Sequence, residues 1–171
     1  MRRTVWHAVV VISLLLVSWS AMAAPPGMIS GGLVTSPAGL DPYVYAEVQA
    51  LPDIAVGLEW NPAAISLSVW SGFSRGIYAE ASWANIGFVR PDAAELGVWS
   101  DLSDLNVSIG YPLTVWGGIR AVSGDTRLQL SLNAELEVPV QTNVSLLAGA
   151  KLTLLGAGTS ASGWVGVGTR F

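Results

Sequence analysis

Between Arg127 and Val140 polar and apolar residues alternate with a period of two. Arg127, Gln129, Ser131, Asn133, Glu135 and Glu137 fall on one side, and Leu128, Leu130, Leu132, Ala134, Leu136 and Val138 on the other. Successive side chains of an extended strand point to opposite sides, so this period marks a strand whose two faces meet different surroundings. The same rhythm recurs along the chain. Residues 43–51 set Val44, Ala46, Val48 and Ala50 against Tyr43, Tyr45, Glu47 and Gln49. Residues 54–60 set Ile54, Val56, Leu58 and Trp60 against Glu59. Residues 64–73 carry Ile65, Leu67, Val69 and Phe73 opposite Ser66 and Ser68, and 77–86 carry Ile77, Ala79, Ala81 and Trp83 opposite Tyr78, Glu80 and Ser82.

Punctuation between these segments is that of tight turns. Pro52-Asp53 and Asn61-Pro62 close the first two, since proline fixes φ and cannot donate to a ladder. Residues 87–95 read as a loop, and 96–101 as a short strand or, with Asp101 to Asp104, a capped helical turn. Strands return at 105–111 and 115–123. A hairpin at Gly124-Asp125 then pairs Arg120 with Gln129 and Ile119 with Leu130, which keeps the faces matched across the turn. Strands 126–139, 143–155 and 163–171 complete the series, the last two separated by a Gly/Ser/Thr loop at 156–162. The expectation is an all-β antiparallel meander of ten strands, with eight as the alternative count. Closure into a barrel is the remedy for its exposed edges.

Which face is buried depends on where the chain goes. Arg2 and Arg3 precede an apolar stretch from Val5 to Val17, and Ala21-Met22-Ala23 offers a small-x-small cleavage site, the layout of a secretory signal peptide. An uncleaved anchor would need ~20 apolar residues. Residues 1–23 are therefore expected to be removed, leaving 24–42 as an N-terminal lead and 43–171 as the barrel. In an exported chain rich in Gly and Trp, the alternation predicts a barrel inverted relative to soluble ones. Apolar side chains then face lipid, and polar ones line the interior. An exported soluble β-barrel or sandwich binding a small apolar ligand would use the same alternation in the opposite sense.

On the inverted reading Glu47, Glu59, Glu80, Glu135 and Glu137 point inward together with Arg120, Arg127, Lys151 and Arg170. Unpaired charge in a narrow interior is costly, so these residues are expected to form a packed ionic network. Inward Tyr43, Tyr45, Tyr78, Trp70 and Trp164 would narrow the lumen further. Barrels of this size are usually filled by side chains. The expected role is structural or membrane-stabilising, or that of a narrow porin-like pore, with a side-chain-filled polar lumen. Trp60, Trp83, Tyr111 and Phe171 fall outward near the ends of alternate strands, as an aromatic girdle on the periplasmic rim would.

The C-terminal run Gly163-Trp164-Val165-Gly166-Val167-Gly168-Thr169-Arg170-Phe171 resembles the last strand of bacterial outer-membrane β-barrel proteins. Those strands end in Phe, with apolar residues at every second position before it. Phe171, Val167 and Val165 match, and Thr169 stands where a bulky apolar residue or Tyr is usual. The resemblance implies insertion into the cell outer membrane with both ends periplasmic. It also implies two partners, outer-membrane lipid and the barrel assembly machinery that reads the terminal strand.

Composition narrows the chemistry. The 171 residues include no cysteine and one histidine, His7, which lies in the expected signal peptide. Its removal takes away the commonest general base, and with no Cys there is no thiolate nucleophile and few good zinc ligands. Known enzymes among small outer-membrane barrels (lipid A palmitoyltransferase and deacylase, the phospholipase, the omptin-type protease) rely on His, so their activities do not transfer. Paired carboxylates would be the remaining route. The expectation is a non-enzyme without cofactor or metal. Loss of Arg2 and Arg3 leaves six basic residues against twelve acidic, a net charge of −6 that disfavours nucleic acid.

Overall fold

The computed structural model describes residues 26–37, 39–72, 74–84, 91–102, 110–154 and 158–171. The strands are β1 (Gly27–Ser36), β2 (Gly39–Leu51), β3 (Ile54–Asn61), β4 (Ala64–Ser71) and β5 (Arg75–Trp83). They continue as β6 (Ala93–Asp101), β7 (Leu113–Val122), β8 (Gln129–Gln141), β9 (Val144–Leu154) and β10 (Ser160–Arg170). Each pairs antiparallel with its neighbours in sequence, and β1 pairs with β10, so the sheet closes into a ten-stranded meander barrel. Closure runs from Met28↔Arg170 to Val34↔Trp164. Gly27 and Phe171 then exchange two backbone hydrogen bonds of 3.1 Å, which seats both strand ends on one rim. No edge is left to pair with another chain.

The expected count of ten is met by a different set of strands. Residues 27–36, expected within a lead, form β1. Three glycines, and apolar Met28 and Val34 on its inner side, blur its alternation. Residues 93–95, expected in a loop, open β6. Most of the expected strand at 105–111 lies outside the described residues, as does the expected signal peptide, and Tyr111 sits in a bend ahead of β7. Where alternation is clean, register follows it. Arg120 pairs with Gln129 and Ile119 with Leu130 across the turn at Gly124, whose φ of 85° suits glycine. Pro42 and Pro139 lie where β2 and β8 extend past one neighbour: β3 pairs from Val44 onward, and β7 only as far as Leu136. There the missing N–H interrupts no ladder on that side.

The outward face is sorted strictly, whereas the inward face mixes polar residues with a few apolar ones such as Met28, Val34 and Leu147. The outward positions hold Leu, Ile, Val, Ala and Gly through the middle of every strand, and Leu96, Val98 and Ile119 are 55–64 % exposed. Outward polar residues (Thr35, Ser71, Arg75, Ser100, Thr169) occur only at or next to strand ends. The buried residues are inward ones, among them Tyr78, Glu95, Ser131, Asn133 and Leu147. A soluble carrier with an apolar interior has the reverse arrangement.

Candidate functional site: the barrel interior

Closure brings inward residues from strands distant in sequence into one lumen. An aromatic layer crosses it. Trp70 stacks on Tyr78 at 4.8 Å between ring centroids and meets Trp99 and Trp116 edge-on at 6.3 and 5.8 Å. Trp116 reaches Trp164 at 6.0 Å. Rings of this size need room on the strands beside them, and glycines supply it. Trp164 lies so close over Gly149 on the neighbouring strand that no Cβ could fit beneath it. Tyr45 covers Gly57 and Tyr43 covers Gly166 in the same manner. A ring over a cross-strand glycine restores the packing the glycine lacks while letting the wall curve tightly.

Between the aromatic layer and the rim away from the termini lies an ionic cluster centred on the buried Glu95. One carboxylate oxygen, Oε1, accepts hydrogen bonds from the Tyr78 and Ser131 hydroxyls. The other, Oε2, faces Lys151 Nζ at 3.6 Å and Arg120 Nη1 at 3.8 Å. The Glu95 side chain is 2 % exposed. Oε1 thus meets two hydroxyl donors, while Oε2 has two cations beside it at ion-pair distance but no hydrogen bond, so charge rather than hydrogen bonding offsets its removal from water.

Near the terminal rim the second cluster is more open. Glu137 accepts from Arg170 Nη2 at 2.5 Å and Nε at 3.2 Å, and from Ser145 Oγ at 2.7 Å. The other inward acids take neutral donors: Glu47 from the Tyr45 hydroxyl at 2.5 Å, Glu135 from Trp164 Nε1 at 2.7 Å, Glu59 from Asn61 Nδ2 at 3.2 Å and Glu80 from Ser82 Oγ at 3.1 Å.

Of the residues expected to line the lumen, Glu47, Glu59, Glu80, Arg120, Glu135, Glu137, Lys151 and Arg170 do so. Arg127 does not. Its strand begins at Gln129, so Arg127 sits in the preceding turn with its side chain 68 % exposed and Asp125 at 3.8 Å. The expected ionic network is also only partly ionic, since two of the six inward glutamates meet a cation and four are held by neutral groups. Glu95 was missed altogether, although Ala94, Leu96 and Val98 alternating with Glu95, Gly97 and Trp99 carried the signal.

The aromatic girdle needs a correction too. Trp60 and Trp83 close β3 and β5 on the rim away from the termini, whereas Tyr111 and Phe171 lie on the terminal rim. Counting β1 reverses the direction of the expected strands from 43–51 to 96–101, which moves Trp60 and Trp83 to the other end, whereas 115–123 and the strands after it keep theirs. The outward aromatics therefore stand at both margins of the apolar band.

No protein-family model and no curated protein matches the sequence. Among solved structures, the chain is similar to one described as "De novo design of transmembrane beta-barrels". The TM-score is 0.44 and the identity 14 %, over 88 % of this chain and 98 % of that one.

Proposed function

We propose that this protein is a small integral outer-membrane β-barrel, exported through its N-terminal signal and inserted by the barrel assembly machinery through its C-terminal strand. Its role is to occupy and stabilise the membrane rather than to catalyse a reaction. One observation carries the reading: among the described residues, Arg75 is the single charged side chain on the outward face of all ten strands, while the inward face carries six glutamates and three cations. In water that outer face would be a large exposed apolar surface. In a bilayer it is a hydrocarbon-facing band with aromatics at its margins. Extraction should require detergent, and an unheated sample should migrate differently on a gel from a boiled one. Release by osmotic shock alone would end the reading.

A narrow, cation-preferring path is the second reading, favoured by the twofold excess of inward glutamates over cations. The packed aromatic layer favours the sealed form. Planar-bilayer recordings separate them: silence supports the filled core, and a small steady current selective for cations supports the path.

A further inference from the structure

Outside the barrel, the wall formed by β6, β7 and β8 is hollowed. A shallow, open depression of about 690 Å³ is walled by Leu96, Val98, Val115, Ile119, Leu130 and Leu132, with the Leu132 side chain leaning over outward Gly117. Along β6 it runs from Leu96 to Ser100, about 13 Å at ~3.3 Å per residue. Its walls carry no charge. At the terminal-rim end it reaches Ser100, whose cross-strand partner is Arg75. Ser71, the last residue of β4, faces outward on the strand beyond.

Arg75 is exposed and belongs to none of the ion pairs among the described residues. Among the described residues the only outward charge on the strands therefore stands at the mouth of an uncharged groove. Beside it, the Ser100 hydroxyl donates to the Asp101 carbonyl at 3.3 Å and would have to turn to meet a ligand. Chance placement of a rim arginine explains the charge but not the hollow that ends next to it. The pair suits an anionic amphiphile, with the phosphate on a planar multi-donor guanidinium and the chain in an apolar slot.

We propose that this face binds an anionic phospholipid, its phosphate held by Arg75 with Ser100 and one acyl chain lying in the Gly117 groove. This rests on the membrane reading above and adds a specific lipid site to it. Among its neighbours the site is distinctive. Elsewhere on the terminal rim the outward strand ends offer Thr169 or apolar residues, and no second cation.

The test uses the full mature barrel in phosphatidylcholine vesicles with spin-labelled phosphatidylglycerol or spin-labelled phosphatidylcholine as the probe. The fraction of motionally restricted label is read for each. The wild type should favour phosphatidylglycerol about fivefold, the factor one surface arginine typically gives for an anionic lipid. Arg75→Gln should bring the preference to about one, and Arg75→Lys should retain part of it. Val98→Trp, at an outward position that tolerates a large ring, should fill the groove and release restricted label while Arg75 stays in place.

Equal preference in wild type and Arg75→Gln overturns the proposal. So does an unchanged restricted fraction in Val98→Trp, because the charge would then act without the groove. A doubled mass in native spectra that reverts to monomer in Val98→Trp would assign the groove to a second copy and also overturn it. A chain that never enters the vesicles shows no restricted label of either kind and sinks the membrane reading itself. Insertion without headgroup preference sinks only the lipid site.

Discussion

The two ends of the lumen hold their acids in contrasting ways. Glu137 and Arg170 make the shorter contact, 2.5 Å, yet the arginine side chain is 60 % exposed at the rim. Glu95 lies 3.6–3.8 Å from its two cations and is sealed from water. Distance alone would rank the rim pair first. Burial reverses the order, because an exposed pair loses little water and gains little, whereas a sealed carboxylate without partners is left with its full desolvation cost. The rim pair therefore trims the end of β10, and the Glu95 cluster ties β5 to β9 across the lumen.

That contrast can be broken at its strongest point with Glu95→Ala, which leaves Arg120 and Lys151 facing each other without their counter-charge. Unfolding in detergent or bilayers by urea should show a loss of about 3–5 kcal/mol, and a change below 1 kcal/mol would remove Glu95 from the centre of the fold. Trp164→Ala probes the aromatic layer between the two ends. It strips the ring from Gly149 and the donor from Glu135, and should cost about 3 kcal/mol; an unchanged unfolding midpoint would mean the layer is loosely packed. Arg120→Ala is milder, about 1–2 kcal/mol, because Lys151 still neutralises Glu95 while the hydrogen bonds from Tyr78 and Ser131 persist. A loss as large as that of Glu95→Ala would show that Arg120, not the carboxylate, is the indispensable member. Smallest of all, Arg170→Ala should cost under ~1 kcal/mol. The stability of the wild type should then fall only slightly with added salt, and a marked fall would place the more valuable ion pair at the rim.

How legible the molecule was depended on the strength of local contrast. β8 pairs Leu and Val with Gln, Ser, Asn and Glu, and its faces and its register against β7 agree with that pattern. β1 has little contrast to show: glycines on both faces and methionine and valine inside make it resemble a lead. β6 has contrast, but Arg90-Pro91-Asp92 immediately before it resembles the start of a loop, and Glu95 was absorbed into that loop. The total of ten held because one strand was omitted at the start and one was expected at 105–111. Rim assignments changed only for the strands between those two differences, so Trp60 and Trp83 stand on the other rim while Phe171 keeps its own.

From the sequence by itself one could read which side of each clean strand is greasy, that lumen acids outnumber lumen bases, and that the chain has no Cys and a single His, His7. These are properties of neighbouring residues, and a period of two is enough to reveal them. Only the closed tertiary structure decided which acids meet cations, that Glu95 is their centre, that Arg127 lies outside, and that the aromatics flank both margins. Such facts depend on partners far apart in the chain, as Lys151 is from Glu95. Stagger and strand direction, set by closing the whole ring, bring them together, and no local pattern encodes either.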